Sequence, residues 1–462
     1  MWRKLFSDYR ELRIPARQFL FFACVNVISW QLTIGIVLPL FARHIGMPQS
    51  WVGVLLALTP LSSLLVLATL ELVETHGPRR VMIWAWLGRT LGITAVFLIP
   101  WAAGRYGESA GWHVLLAATG LFCFFRAFGV GGWFPWIHEL VPRRRGVYFS
   151  VETKFFQFIS IAILVAVSAY LGHDATTARY LFVYGVGICG GLAALLLMLR
   201  IPGGRRTPHP EHDAEMRELR SYRAVLRDRN FMRFVLQAAM TLSALNWLGA
   251  VAILYLRDIM HFSDGQILRM SAFGSVMVAL TISPWSRFAE AHGSGQTLFM
   301  TAASHSLGAL CWIGLWPEAN WAVYASGAVL ALTMTFGAAY MMSVNRGMLG
   351  YVPEHSRAAY TNVWIVAISL ALGVTPILAG QVIEYGGLWG FRACFLVSGI
   401  AGLVCATQNF FLPDDGDAKA RRDWIAHPAQ PVRTLARIAW ITLGLDETNR
   451  PADEDGDGQD ES

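Results

Sequence analysis

Runs of about 20 apolar residues recur along the whole chain, and each is long enough to cross roughly 30 Å of hydrocarbon as a helix. No other feature constrains the fold as strongly. The runs are rich in Gly, Ala and Leu and show no strict alternation, which argues against the strands of a membrane barrel. Twelve spans are predicted, over 18–42, 51–73, 80–103, 113–140, 150–172, 178–200, 232–256, 265–288, 295–316, 320–345, 358–383 and 389–412. Charged residues make up 15% of the 462, against roughly 25% in a soluble domain, so the solvent of this chain is lipid.

The net charge of +6 raises nucleic acid as a partner, and the distribution of the charge dismisses it. With both termini cytoplasmic, five of the 37 Lys and Arg residues (Arg43, Arg105, Arg179, Arg257, Arg392) lie outside. Four (Arg89, Arg126, Lys154, Arg269) fall within spans, and the remaining 28 are cytoplasmic. That asymmetry is the positive-inside rule, which orients helices in a bilayer. Arg outnumbers Lys 34 to 3, which suggests a GC-rich genome and a bacterial plasma membrane. The polar, basic stretch 1–17 does not read as a cleavable signal. The six Cys residues have no metal-ligand spacing and read as small core residues, so no metal site and no cofactor is expected.

One long polar loop, 202–230, divides the chain into an N-terminal bundle (18–201) and a C-terminal bundle (231–412), with a tail over 413–462. The halves echo each other. LELVETHGPRR (70–80) and SRFAEAHGSGQ (286–296) both contain Glu-x-His-Gly, with Glu74 and Glu290 separated by 216 residues. At the same offset Leu40 falls on Leu256, and Trp30-Gln31 falls on Asn246-Trp247 near the centres of spans one and seven. LVPRRRGVYFS (140–150) echoes YVPEHSRAAYT (351–361) at an offset of 211. Several echoes at nearly constant offset indicate a duplicated six-helix unit.

The loop after span two, with Gly77, Arg79 and Arg80, resembles the major facilitator superfamily's Gly-x-x-x-Asp-x-x-Gly-Arg-Arg/Lys motif. Glu74 stands for the Asp, Leu70 replaces the first Gly and Pro78 intervenes. WFPWIHELVPRRRGVYF (133–149) also resembles members with a Trp-rich fourth helix. The resemblance covers about residues 17–412. It implies two pseudo-symmetric six-helix bundles, all α, and secondary transport of a small solute by alternating access, with or without a coupling ion. Helix five lacks the Gly-x-x-x-Gly-Pro pattern of the drug/proton antiporter branch; a Gly373-x-x-Pro376-x-x-x-Gly380 pattern stands in helix eleven instead. A non-transporting protein of the same fold, serving as an assembly factor or sensor, is the alternative reading.

Charges inside apolar runs are costly unless paired, hydrated or used. Arg126 lies mid-span in helix four, on a helical stripe with Thr119, Cys123, Val130 and Trp133. Its planar guanidinium suits a carboxylate or phosphate, so an anionic solute is one reading and helix packing the other. Arg89 in helix three reaches similar depth. The resemblance places Arg126, Trp30, Gln31, Asn246 and Trp247 on cavity-lining helices, and Trp133 shares the stripe of Arg126. It also implies a gate at Glu74, Gly77, Arg79, Arg80, Glu290 and Gly293, which otherwise read as loop charges and turns that set topology. No carboxylate stands near a midplane, and His305 reads as a packing residue, so the energy source stays unread. Walker A, HExxH, GxSxG and CxxC patterns are all missing, and no enzyme is expected. In the tail, PVRTLARIAWITLG (431–444) reads as an interfacial helix. Asp453, Asp455, Asp457 and Gly458 begin a calcium-loop pattern that the chain does not complete, so an acidic disordered end is expected.

Overall fold

A computed structural model describes residues 12–141, 145–173, 175–204, 222–319, 321–351 and 357–412, together with Tyr9 and Arg433. Nearly all of the tail, including the calcium-like pattern, lies outside these residues, as does 205–221 of the linker. The described residues hold helices and no strand. In chain order they are α1 (Ile14–His44, interrupted at 34–36), α2 (49–76, tightening to a 3₁₀ helix over Ser63–Thr69), α3 (Pro78–Tyr106), α4 (Glu108–Leu140), α5 (Arg145–Leu171) and α6 (Thr177–Met198). The second half comprises α7 (Arg229–Asp258), α8 (Asp264–His292), α9 (Ser294–Cys311), α10 (Ala322–Tyr351), α11 (357–386) and α12 (388–409).

Ten helical runs are long and apolar enough to cross a bilayer. The last of them, Ala359–Asn409, reverses at Gly387 and holds two spans. The shorter α9 is the twelfth. It carries Thr297, Thr301, His305 and Ser306, all buried, so its polar groups meet protein and not lipid. The protein is an integral membrane protein of twelve helices in two bundles. The face carrying the start of α1, the linker and the end of α12 is termed basal here, and the opposite face distal.

Several connections are shorter than the sequence suggests. The predicted gap between 103 and 113 is the single residue Gly107, and that between 383 and 389 is Gly387. Glycine makes this possible because a positive φ lets one helix stop and the next start without a Cβ clash. Gly77 (φ 82°, ψ 146°) and Gly293 (φ 88°, ψ 165°) are the same corner in the two halves. At each, the glycine N–H donates to the carbonyl four residues back, Val73 at 2.8 Å and Ala289 at 3.0 Å. The offset of 216 is therefore repeated in backbone geometry and not only in letters.

Within each half the first helix of the repeat packs against the last two, and the two bundles meet through α2 on α11 and α5 on α8. The glycines of α11 serve this seam. A Cβ on Gly53 of α2 would fall 2.2 Å from the Pro376 carbonyl oxygen, and one on Gly380 would fall 2.9 Å from the Gln49 carbonyl. Leu70 stands where the family motif has its first Gly, and close packing near there comes from α4, where a Cβ on Gly131 would strike Thr69 Oγ1 at 2.1 Å. The cysteines correct an expectation. Cys123 and Cys394 are buried, but Cys189 and Cys311 are exposed. An outward thiol on a membrane span meets hydrocarbon, so exposure there is inexpensive.

Candidate functional site

Arg89 and Arg126 stand 18 and 19 residues from Gly107, on the two helices that reverse there. At 1.5 Å rise per residue both lie about 27 Å from the corner, at the same depth. Arg89 is fully buried. Its Nη2 donates to Asn26 Oδ1 of α1, and Trp86 Nε1 donates to the same oxygen at 3.1 Å. The guanidinium also sits 4.2 Å from the Trp86 ring centroid and 5.0 Å from that of Phe122. An amide oxygen and two ring faces thus solvate a charge that hydrocarbon would reject. Arg126 is half-buried, 5.0 Å from the Trp30 ring centroid, and its Nη1 is buried with no hydrogen-bond partner. The Phe122 ring against Arg89 and the Trp30 ring against Arg126 have centroids 6.4 Å apart, so the two guanidiniums border one aromatic cluster. Among the described residues neither is paired with a carboxylate; the ion pairs lie elsewhere, at Arg43 and Arg257.

A cavity of about 630 Å³ lies between the bundles, with wall residues from α1, α2, α5, α7, α8, α9 and α10. Gln31 is on its wall and donates to Ser160 of α5 at 2.9 Å. Gln157, Ser271, Ser275 and Thr333 give it further polar groups. His305 also reaches the wall, and its Nδ1 is 3.0 Å from the Thr333 carbonyl, as suits a packing histidine. At the repeat offset of 216, His305 stands where Arg89 stands in the first half. Arg126 is not on this wall, but the Trp30 ring it faces precedes Gln31 directly. Asn246 donates to the Leu372 carbonyl of α11 at 3.0 Å, and Trp247 lines a separate groove against α11 and α12. Trp133 stacks near Trp86, with centroids 6.1 Å apart, and packs edge-on to Phe19. The structure brings Arg126 and Trp30 together, turns Gln31 to Ser160 on the cavity wall, and places Asn246, Trp247 and Trp133 in other contacts.

Of the gate residues, Gly77 and Gly293 form the paired corners, and the side chains of Glu74 and Glu290 lie outside the described residues. Arg79 donates through Nη2 to the Leu199 carbonyl at 2.7 Å, and its backbone N–H donates to Gly204 at 3.2 Å. It therefore ties its corner to the end of α6 in the same half. Arg80 is exposed on the basal face.

Sequence reasoning missed the opposite face. Arg43 of α1 pairs with Asp258 of α7 at 3.0 Å, and Gln49 Nε2 donates to the same carboxylate at 2.6 Å. Arg257 pairs with Asp264 at 3.0 Å and also donates to the Leu40 carbonyl across the seam. Tyr180 donates to Asp264 at 2.5 Å, and Glu384 accepts from the backbone N–H groups of Gln49 and Ser50. These bonds fasten the two halves to each other at the distal end. One signal was available: Leu40 and Leu256 are repeat partners, which sets Arg257 beside Leu40 across a two-fold axis.

The family model of the Major Facilitator Superfamily matches residues 19–349 and 250–445. The chain belongs to that superfamily. No curated protein sequence matches it. Among solved structures it is similar to a mutant of the nucleoside transporter NupG, with 12% identity and a TM-score of 0.69 over 86% of this chain and 99% of that one. It is also similar to a D-xylose-proton symporter, with 13% identity and a TM-score of 0.66 over 86% and 97%. A bacterial homologue of the iron transporter ferroportin in an inward-facing state shares 14% identity, with a TM-score of 0.61 over 85% and 98%. At these identities the likeness is one of fold.

Proposed function

We propose that this superfamily member is a secondary transporter that moves a small organic solute bearing an anionic group by alternating access. The observation that carries this reading is the pair of guanidiniums, Arg89 and Arg126, held at one depth with no carboxylate partner among the described residues. Each keeps one buried donor without a partner among the described residues, Nε of Arg89 and Nη1 of Arg126, but Arg89 is closed in by Asn26 and two ring faces, whereas Arg126 is only half-buried. A solute carboxylate or phosphate there gains charge-assisted hydrogen bonds. Trp30 faces Arg126 and Gln31, the next residue, stands on the wall of the central cavity, so a ring and an amide would be offered to the rest of the solute. The basal face is cytoplasmic in a bacterial plasma membrane, as the Arg distribution directs, and the present state is closed at the distal, external face.

Uptake into vesicles and melting temperature, measured on the same purified variants, test the reading. A library of metabolite anions is first screened for thermal stabilisation, because a ligand stabilises the state it binds. Arg126→Ala is expected to abolish uptake of the stabilising anion with the melting temperature held. Arg126→Lys should retain the fold and bind more weakly, having lost the planar fork. A large fall in melting temperature with unchanged uptake per folded molecule refutes the role of Arg126. Reporters active only outside the cytoplasm should be silent after Ser462 and active near Glu108.

A further inference from the structure

At the basal end of the C-terminal bundle a groove of about 1040 Å³ runs between α7, α11 and α12 beside a short helix at 222–227. It is distinct from the central cavity and shares no wall residue with it. The walls are apolar, and Leu236, Met240, Leu370 and Val397 are exposed along them. The adjoining face of α12 shows Leu396, Ile400 and Val404 to the surroundings, which at this depth are hydrocarbon. From Met232 to Trp247 the groove follows α7 for 15 residues. That is about 22 Å, more than one leaflet's share of a hydrocarbon core of about 30 Å. A polar solute gains little against such walls, and an acyl chain fits them.

One end of the groove is charged. On α7, Arg229 and Arg233 continue towards the basal face the same helical stripe that carries Leu236, Met240, Ser243 and Trp247. Arg223 and Arg227, one turn apart on the short helix, alternate with the groove residues Tyr222 and Leu226. All four Arg are exposed, and none is ion-paired among the described residues. Among the described residues the neighbouring carboxylate is already occupied: Asp228 caps α7 through the N–H groups of Asn230 and Phe231 and accepts from the Tyr360 hydroxyl at 2.9 Å. Asn362 donates to the Tyr222 hydroxyl at 2.6 Å and closes the rim with neutral groups. Four free cations at the mouth of an apolar, membrane-facing slot match one ligand chemistry.

We propose that this groove binds a phospholipid with an anionic headgroup from the basal leaflet, with an acyl chain between α7, α11 and α12 and the phosphate held by Arg229, Arg233 and Arg223. Such a lipid packs α7 to α11, the helix that forms the seam with α2, and so weighs on how readily the halves separate.

The test uses the full chain, purified in a neutral detergent and titrated with phosphatidylglycerol, phosphatidylcholine or soluble glycerol phosphate, with bound lipid read by native mass spectrometry. Phosphatidylglycerol should bind, phosphatidylcholine should bind far more weakly, and glycerol phosphate should not compete. At about five-fold per basic residue near a membrane surface, Arg229→Gln with Arg233→Gln should weaken phosphatidylglycerol about thirty-fold. Ala367→Phe, which fills the groove and leaves every Arg in place, should weaken it as well. A phosphatidylglycerol carrying a photoreactive acyl chain should label the peptide containing Leu236 and Met240, a readout that holds even if the filled variant fails to fold. Equal binding of the two lipids, competition by glycerol phosphate, full affinity in the double Gln variant, or labelling confined to other helices overturns the proposal.

Discussion

Replacing Asp258 by Asn removes the charge from the ion pair that fastens α1 to α7. The carboxylate receives Arg43 Nε at 3.0 Å and Gln49 Nε2 at 2.6 Å. The side chains of Arg43 and Asp258 are 23% and 13% exposed, so the pair is screened less than a surface bridge. Hydrogen bonds to charged groups contribute about 1.5–3 kcal/mol, and Asn keeps the shape and an acceptor for Gln49. A loss of about 2 kcal/mol follows, which is about thirty-fold in an equilibrium. Because the bond joins the two halves, the loss falls on the distal-closed state and shifts the population towards opening. Spin labels at Ser109 and Tyr385, one on each half and both exposed distally, read that shift as a longer distance component; the accessible Cys24, Cys189, Cys311 and Cys405 are first replaced by Ser so that only the new sites are labelled. Arg43→Gln should act alike, and the double variant should be no worse than either single one. A distance distribution unchanged by Asp258→Asn refutes the lock, and so does a coupling below about 0.5 kcal/mol in the double-mutant cycle. Glu384 offers a contrast, because its bonds to Gln49 and Ser50 are exposed and its removal should move the distribution far less.

Gly77→Ala and Gly293→Ala should each cost about 1–3 kcal/mol, because both corners occupy backbone that only glycine adopts readily; thermal melts should fall by similar amounts, and a neutral Gly293→Ala would show that the corners are not equivalent. Asn26→Ala strips the shared acceptor from Arg89 and Trp86. Two buried donors lose their partner, so a loss of about 2–4 kcal/mol is expected in unfolding, and an unchanged melt would mean that the ring faces alone hold Arg89. Gly53→Val drives a side chain into the Pro376 carbonyl. Overpacking costs about 1–3 kcal/mol, and the yield of folded protein should drop while an Ala at exposed Gly104 leaves it intact.

Twelve spans and a two-fold repeat were legible because apolar length and Glu-x-His-Gly are both local signals. The corners were not: Gly107 and Gly387 look like loop glycines, and nothing local says that the loop is only one residue long. Arg89 and Arg126 stood out as charges inside apolar runs, and counting from their connection gave their common depth. Asn26 did not stand out, because its role depends on which way α3 is rotated against α1. The distal lock was hidden by distance along the chain, since Arg43 and Asp258 are 215 residues apart. The polar wall of the central cavity was hidden for a different reason. Ser271 and Ser275 bond their own helix at Ile267 and Ser271, so a hydroxyl in a span announces backbone satisfaction as readily as a binding site.

The repeat preserves a backbone and divides the charge. Arg89 and Arg126 both belong to the first bundle, and the second has a histidine at the place of Arg89. In the proposed rocking motion, two cations with no carboxylate partner among the described residues would ride on one body inside the low-dielectric slab. Carrying one charge across the whole membrane is worth about 2.3 kcal/mol per 100 mV. A rocking motion that shifts both by a tenth of the electrical distance thus exchanges about 0.5 kcal/mol with the membrane potential. A monovalent anion bound at Arg126, as proposed, would cancel half of that. On that reading the empty and the loaded protein would feel the same voltage differently, and the membrane potential would take part in the cycle before any coupling ion enters.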